Sequence, residues 1–220
     1  SCPGPIVSVA KEMDNLKEGQ TLLVTATDPG FCNDIESWCI NTGNTLVSKI
    51  DKKGIYNVVL KKGSSEDLPK PSCKQKEKTM IVFDGDLDKA LAAFIIATGS
   101  AAMGNKVNMF FTFWGLNILR KSNPPIVKKD IMSKLFAIMM PKGSKKLTLS
   151  KMNFGGMGTK MMKDIMKKKG ISSLEELIAQ AQKAGVKMTA CQMSMDVMGL
   201  KKEELIDGIE IGGVATMLND

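Results

Sequence analysis

Five cysteines are the side chains of this sequence best suited to covalent chemistry, and they stand at positions 2, 32, 39, 73 and 191. The chain contains no histidine, which excludes Ser-His-Asp catalysis, Cys-His catalysis and histidine-based metal sites. No two cysteines are separated by only two residues, so the usual ligand spacing of zinc and iron–sulfur sites is missing. We therefore expect free thiols and no bound metal.

Cys2 opens the motif Cys2-Pro3-Gly4-Pro5, directly before the first predicted helix. Proline is compatible with the first turn of a helix, where its missing N–H is not needed. The positive end of the helix dipole favours a thiolate, which is the nucleophilic form, and equally a persulfide anion. The alternative is an incidental exposed cysteine near a chain end.

Cys191 directly follows a predicted strand, Val186 to Ala190. In open parallel sheets, sites collect beyond the carboxyl ends of the strands. The turn after Cys191 can aim backbone N–H groups at a thiolate. The alternative is a buried structural cysteine, which is usually inert.

The other three cysteines are weaker candidates. Cys39 shares a helical face with Ile35 and Trp38, which predicts a place in the core. Cys32 follows a turn, and no nearby side chain is expected to activate it. Cys73 lies in a polar, proline-containing stretch and is interpreted as a free surface cysteine.

We predict two domains, residues 1–63 and 79–220, joined by a linker at 64–78 that is polar and lacks periodicity. The first domain is predicted as helix, strand, helix, strand, strand, with a hairpin around Lys52-Lys53-Gly54. Gly19 is expected to end its first helix.

The second domain alternates strands with helices, which implies a parallel sheet with helices on both faces. The predicted strands are Thr79 to Phe83, Val107 to Phe113, Val186 to Ala190 and Ile209 to Ile211. The predicted helices include one capped by Asp86, one at Asp130 to Met140, one around Met161, Met162, Ile165 and Met166, one with a Ser173–Glu176 capping box, and a terminal helix.

The net charge of +8 is spread over several small lysine clusters. A solvated surface explains this pattern, and docking to acidic partners or RNA is the alternative. The apolar run from Ala90 to Gly104 is shorter than the ~20 residues that a spanning helix needs. We therefore expect no membrane as a partner. With aromatic residues at only 5%, which gives few rings for stacking on bases, we expect no nucleic acid either.

The stretch Phe154-Gly155-Gly156-Met157-Gly158 precedes a helix and could bind an anion or act as a lid or hinge. It matches neither the dinucleotide-binding pattern nor the phosphate-binding loop with its lysine. No nucleotide or other cofactor is therefore predicted.

Residues 2 to about 63 resemble a TusA-type sulfur-carrier domain. The resemblance rests on Cys2-Pro3-Gly4-Pro5-Ile6, Gly19-Gln20-Thr21-Leu22, Asp28-Pro29, Asp34-Ile35 and Gly63. It implies a two-layer α/β sandwich and a role for Cys2 in receiving sulfur as a persulfide and passing it on. That family has a strand before its Cys-Pro motif. Here Ser1 directly precedes Cys2, so we expect the chain to be a piece of a longer polypeptide or one that is trimmed at its start.

Residues 79 to 220 resemble the DsrE/DsrF-like sulfur-transfer family. The resemblance rests on Ile81-Val82-Phe83-Asp84-Gly85-Asp86, Phe111-Thr112-Phe113-Trp114-Gly115, Asn153-Phe154-Gly155-Gly156-Met157-Gly158 and Ala190-Cys191-Gln192-Met193-Ser194-Met195-Asp196. It implies an open parallel sheet, homo-oligomers and a sulfur-accepting cysteine after a late strand. Cys191 occupies that position.

Together the two resemblances imply a sulfurtransferase-like relay that passes persulfide sulfur between Cys2 and Cys191. The implied partners are a sulfur donor, such as a rhodanese or a cysteine desulfurase, and a sulfur acceptor protein. Two alternatives stay open: the C-terminal accessory part of a flavin-dependent CoA-disulfide or persulfide reductase, and an RNA-thiolation factor. The odd number of cysteines and the absence of a secretory signal favour reduced thiols and a cytoplasmic location.

Overall fold

A computed structural model describes residues 4–27, 29–52, 54–63, 77–125, 127, 129 and 139–219. Its N-terminal part has the predicted order of helix, strand, helix, strand and strand. These elements are α1 (Gly4–Asp14), β1 (Thr21–Ala26), α2 (Pro29–Thr42), β2 (Thr45–Lys52) and β3 (Ile55–Lys61). Gly19 follows α1 with φ of 80°, a backbone conformation that suits glycine.

The three N-terminal strands form an antiparallel sheet in the order β1-β3-β2, and β2 and β3 are the predicted hairpin. Side chains of β1 alternate between exposed and half-buried, so one face of the sheet meets solvent. The other face packs Val58 and Leu60 of the central strand against Ile6 and Val9 of α1 and Ile35 of α2. This arrangement is the predicted two-layer sandwich.

The C-terminal part is built on a parallel sheet in the order β4-β5-β6-β7. The strands are β4 (Glu77–Val82), β5 (Lys106–Phe111), β6 (Lys187–Cys191) and β7 (Glu210–Gly212). The helices are α3 (Leu87–Ala102), α4 (Met157–Lys168), α5 (Leu174–Lys183), α6 (Gln192–Val197) and α7 (Val214–Asn219). The predicted fold class, an α/β sandwich followed by an open parallel sheet with helices, is confirmed.

Helices α3 and α5 pack against the sheet through one core cluster that contains Phe94, Leu177 and Phe111. All residues of β5 after Lys106 are buried, as expected for a strand covered on both faces. The predicted capping box of α5 is present, since the Ser173 hydroxyl accepts from the Glu176 amide and the Glu176 carboxylate accepts from the Ser173 amide.

Several predicted boundaries differ from the structure. β4 begins at Glu77, inside the predicted linker, and β5 ends at Phe111 rather than at Phe113. Phe113 has φ of 46°, which no strand residue adopts, and it starts a 3₁₀ helix that runs to Leu119. Asp86 stands before α3 but makes no side-chain cap, because its carboxylate pairs with Lys89.

Two predicted features fall on residues that are not described. The helix predicted at Asp130 to Met140 lies outside the described residues except for its last two. The predicted linker at 64–78 lies outside the described residues except for Glu77 and Lys78, which belong to β4.

A direct contact joins the helices of the two sheets. The indole of Trp38 in α2 donates a hydrogen bond of 2.6 Å to the Ala102 carbonyl at the end of α3. Ala102 and Met103 also pack against the N-terminal core. The last turn of a helix has carbonyls without intrahelical partners, and Trp38 satisfies one of them.

A cluster of buried charges lies beyond the end of the 3₁₀ helix. Arg120 is fully buried and has its Nη2 atom 3.9 Å from the Glu204 carboxylate. Lys129 Nζ lies 2.5 Å from the same carboxylate, and both side chains of this pair are buried. Burial lowers the pKa of Arg120. Two buried cations therefore share one carboxylate.

Replacing Gly115 with alanine is expected to destabilise the fold by about 1–3 kcal/mol, the usual cost of overpacking. A Cβ at this position would lie 2.1 Å from the Val82 carbonyl oxygen, so the backbone must move. Urea unfolding measures the effect. The matched control is Gly99→Ala in α3, where a Cβ meets nothing within 4 Å and helix propensity favours alanine. Equal unfolding midpoints for the two variants would contradict the prediction.

Among the helices that the described ranges contain, none is long and apolar enough to cross a bilayer.

Candidate functional site

Cys191 is the last residue of β6 and the residue that precedes α6. It pairs with Gly212 of β7 on one side of its strand, and β5 lies on the other side. The thiol is therefore placed at the carboxyl edge of the sheet, between two neighbouring strands. Only 2% of the residue is exposed. This is the position that the sequence predicted for it.

Four groups that can donate a hydrogen bond surround the Cys191 sulfur, namely two hydroxyls and two backbone amides. Burial raises the pKa of the thiol, but hydrogen bonds from the Ser194 hydroxyl and amide, the Thr112 hydroxyl and the Met193 amide outweigh it. The pKa of Cys191 consequently lies below its ordinary value. Donors that favour the ionised form make the sulfur a better nucleophile at neutral pH.

Two elements supply these donors. Thr112 follows β5 and is held there by its amide, which donates to the Val82 carbonyl of β4. Ser194 and Met193 lie in the first turn of α6, whose amides have no intrahelical acceptors. Because both elements start where a parallel strand ends, their donors converge on one point.

The two hydroxyls also contact each other. Thr112 Oγ1 and Ser194 Oγ lie 2.7 Å apart, and either atom can be the donor. Each hydroxyl has one proton, so the pair can give one proton to the sulfur while the other links the two oxygens. Rotation of either hydroxyl changes which of them serves the sulfur. This hydroxyl pair can therefore still donate a hydrogen bond when the sulfur acceptor at Cys191 changes its position.

Large apolar side chains follow the carboxyl ends of all four parallel strands and are exposed to solvent. We call them the apolar rim: Phe83 after β4, Phe113 and Trp114 after β5, Met193 after β6, and Val214 after β7. Phe113 holds its exposed ring on a left-handed backbone, which is costly for an aromatic residue. Exposed apolar side chains that gather at one edge of a sheet are typical of an interaction surface.

The remaining cysteines behave differently or lie outside the described residues. Cys39 is buried in the N-terminal core, as predicted, and burial followed by the nearby Glu36 charge raises its pKa to about 11. Cys2 and Cys73 lie outside the described residues, and only the backbone of Cys32 is described. The structure therefore describes one of the two predicted site cysteines.

Thr112 and Ser194 were not predicted as site residues from the sequence. The available signal was their position: a hydroxyl directly after a buried strand, and another three residues after Cys191. Neither spacing is specific, because serine and threonine commonly follow strands and begin helices.

The glycine-rich segment forms the 3₁₀ helix Phe154–Gly156 before α4. A Cβ on Gly158 would lie 1.9 Å from the Met152 carbonyl oxygen, so this turn requires glycine for close packing. Within the part of the chain that the structure describes, no three His, Cys, Asp or Glu side chains form a group able to hold a metal.

In a comparison with known proteins, each half of the chain matches the model of one protein family. Residues 1–62 match the model of the sulfurtransferase TusA family. Residues 74–220 match the model of the DsrE/DsrF/DrsH-like family.

Several individual proteins are similar to the chain. The uncharacterized protein YrkE of Bacillus subtilis is 52% identical over 145 residues, 66% of this chain and 91% of that protein. The sulfur carrier protein DsrE2 of Allochromatium vinosum is 42% identical over 151 residues, 64% of this chain and 90% of that protein. The putative sulfur carrier protein YrkI of Bacillus subtilis is 40% identical over 63 residues, 29% of this chain and 84% of that protein.

These matches do not show the predicted resemblance to an oxidoreductase, which stays a prediction. They do support the two predicted domain families, and two of these relatives are named as sulfur carrier proteins. With its larger part matched from residue 74 to the end, the chain belongs to the DsrE/DsrF/DrsH-like family and carries a TusA domain before it.

Proposed function

We propose that this protein is a sulfur relay that passes persulfide sulfur between Cys2 and Cys191. The observation that carries the proposal is the set of four donors that, against the effect of burial, lowers the pKa of the Cys191 thiol. A structural cysteine has no use for such donors, and Cys39 shows the contrasting case, with its pKa raised to about 11.

The transfer step is an exchange between a thiolate and a persulfide. The Cys191 thiolate attacks the outer sulfur of a persulfide on Cys2, a new S–S bond forms on Cys191, and the S–S bond at Cys2 breaks. Cys2 leaves as a thiolate, and the proton of the persulfide stays on the transferred sulfur. No oxidant or reductant is consumed, because one S–S bond replaces another.

The donor site suits both states of the sulfur. In the thiolate state the negative charge lies on Cys191 Sγ, where the Met193 and Ser194 amides donate. In the ionised persulfide the charge lies one bond further out. The Thr112–Ser194 hydroxyl pair, with its 2.7 Å contact, can then rotate a proton towards the outer sulfur.

The partners that fit this chemistry are proteins. A donor such as a rhodanese or a cysteine desulfurase would load Cys2, and an acceptor protein would unload Cys191. The apolar rim supports this proposal, since a docked protein surface would exclude water from the exposed Phe113, Trp114 and Met193 side chains.

Persulfide loading tests the relay. The background carries Cys32→Ser and Cys73→Ser, and the protein is treated with glutathione persulfide, alkylated and mapped by peptide mass. We expect sulfur on Cys2 and Cys191 in the parent, on the remaining cysteine in each single Cys→Ser variant, and on neither in the double variant. Cys39 serves as an internal control and should stay unmodified. Equal loading of the double variant and the parent would overturn the proposal.

Mixing then tests the transfer itself. The Cys191→Ser protein, loaded on Cys2, is desalted and mixed with unloaded Cys2→Ser protein. Appearance of sulfur on Cys191 demonstrates the exchange between chains. If sulfur stays on Cys2 in this mixture and Cys191 is loaded in the parent no faster than in the Cys2→Ser variant, the two cysteines do not form a relay.

A further inference from the structure

The net positive charge of this protein comes from one short segment. Residues 142–170 contain nine lysines and one acidic residue, Asp164, for a net charge of +8. The whole chain also has a net charge of +8, so the rest of the chain is neutral. We call residues 142–170 the basic segment. A dispersed surface charge, as the sequence pattern suggested, does not describe this distribution.

An apolar stripe runs along the same segment. Met157, Met161 and Ile165 are spaced four residues apart in α4 and so share one side of the helix. Their exposed fractions are 70%, 58% and 41%. Met152 and Phe154 precede the helix and are exposed as well. The predicted helix around these methionines exists, but Met166 is the buried one of the four residues that defined it.

Two of these exposed side chains, Met152 and Phe154, stand on left-handed backbone before α4. Met152 and Phe154 have φ of 57° and 43°. A left-handed conformation costs a large side chain roughly 1–3 kcal/mol, and such strain clusters at functional sites. Among the residues that the structure describes, none covers the Met152 and Phe154 side chains, so the strain is not offset by burial.

Helix α4 is nonetheless firmly attached through its other side. Gly158, Thr159 and Met166 are buried, and the Thr159 hydroxyl donates to Asn153 Oδ1 at 2.7 Å and accepts from the Leu149 amide at 3.0 Å. Lys163 Nζ donates to the Lys145 carbonyl at 3.0 Å. The exposed stripe therefore belongs to a fixed helix, and its exposure is a feature of the fold.

The combination of an apolar stripe and a strong positive charge selects the partner. A second copy of this surface would bring eight more positive charges against the first, which repulsion opposes. A nucleic acid would use the lysines and leave the stripe in water. An anionic lipid surface uses both, because acyl chains accept the apolar side chains and headgroup phosphates attract the lysines.

We propose that the basic segment binds the surface of membranes that contain anionic lipids, with Met157, Met161 and Ile165 placed at the acyl-chain boundary. Binding of this kind lies in the plane of the membrane and needs no spanning helix. It therefore departs from the expectation of no membrane partner, which rested only on the length of the apolar run. It would concentrate the protein at a surface independently of the chemistry at Cys191.

Sedimentation with vesicles tests the proposal on the full chain. One vesicle preparation is phosphatidylcholine alone, and the other contains equal parts of phosphatidylcholine and phosphatidylglycerol. We expect binding to the second only, weakening as salt is raised. Binding to both alike, or to neither, overturns the proposal.

Two sets of variants separate the contributions. Replacing Lys160, Lys167 and Lys168 with glutamine should weaken binding roughly a hundredfold, since each lysine near an anionic surface contributes about a factor of five. The matched control is the same change at Lys11, Lys17 and Lys61, which are exposed elsewhere and should bind like the parent.

The stripe variant is Met157→Gln, Met161→Gln and Ile165→Gln, which leaves the charge unchanged. Loss of vesicle binding with an unchanged circular dichroism spectrum supports the proposal. If the stripe variant binds the vesicles like the parent, the stripe does not contact lipid and the proposal is overturned. It is also overturned if the parent is an oligomer and the stripe variant is a monomer, because the stripe would then be a contact between subunits. Tight tRNA binding that the stripe variant retains, together with absent vesicle binding, would assign the basic segment to nucleic acid.

Discussion

Replacing Ser194 with alanine is expected to slow alkylation of Cys191 at neutral pH by roughly tenfold or more, because a hydrogen bond to an ionised acceptor contributes about 1.5–3 kcal/mol. Burial raises the pKa of this thiol, and the Ser194 hydroxyl is the foremost of the hydrogen bonds that lower it. Without the Ser194 hydroxyl, fewer hydrogen bonds counteract the effect of burial, so the pKa of Cys191 rises.

The pH dependence of this alkylation should shift as well. Alkylation requires the thiolate, so its rate rises with pH and levels off above the pKa of the thiol. In the Ser194→Ala protein the midpoint of this curve should move to higher pH, and the two proteins should react alike once both are fully ionised. Iodoacetamide labelling of the Cys191 peptide, followed by mass spectrometry between neutral and alkaline pH, measures both effects.

Thr112→Val is expected to shift the midpoint in the same direction but less, since its contribution is smaller than that of Ser194. Thr98→Val is the matched control: its hydroxyl is also buried but bonds the Phe94 carbonyl within α3. A Ser194→Ala curve that overlays the parent would show that the hydroxyl does not support the thiolate.

Removing the charge of Glu204 is expected to destabilise the fold by about 3–5 kcal/mol, the usual cost of an uncompensated buried charge. In Glu204→Gln, Arg120 and Lys129 stay buried without the carboxylate that they share. The loss is measured by urea unfolding at neutral pH. Glu203→Gln, one residue away and exposed, is the control and should change little.

A second variant separates charge from packing. Replacing Arg120, Lys129 and Glu204 together with methionine removes all three charges and keeps most of the side-chain volume. Such replacements of buried ion clusters are often neutral or stabilising, so this protein should regain most of the lost stability. Surface substitutions usually change the free energy of unfolding by no more than about 0.5 kcal/mol. If the Glu204→Gln protein differs from the parent by no more than that, the charge of the Glu204 carboxylate does not stabilise the cluster.

Much of the fold could be predicted from local patterns. The spacing around Lys52-Lys53-Gly54 predicted the hairpin of β2 and β3, and Ser173 with Glu176 marked the start of α5. Cys39 could be placed in the core because Ile35 and Trp38 share its helical face. Each of these signals depends on residues within about one helical turn of each other.

The features that could not be predicted depend on distant contacts. Phe113 leaves β5 because the chain turns there so that Gly115 can pack on the Val82 carbonyl, more than thirty residues earlier. Ser194 and Thr112 meet only because β5 and β6 are neighbours in the sheet. The exposure of Met161 and Ile165 could not be predicted either, because a helical face rich in methionine usually packs into a core.

The site was predicted in part for the same reason. The position of Cys191 after a late strand is a sequence feature, whereas the donors that act on its sulfur come from two separate stretches. Cys2 remains a prediction from its motif and from the family, and it lies outside the described residues.

The contact between Trp38 and Ala102 gives this protein a built-in optical reporter. The chain has two tryptophans, and they occupy contrasting surroundings. The Trp38 indole is buried and hydrogen-bonded across the contact between the two halves, whereas Trp114 is half exposed on the apolar rim. Acrylamide is therefore expected to quench the fluorescence of Trp114 and to leave that of Trp38 largely unchanged. A Trp114→Phe protein emits only from the junction between the halves, and a Trp38→Phe protein emits only from the rim beside Cys191.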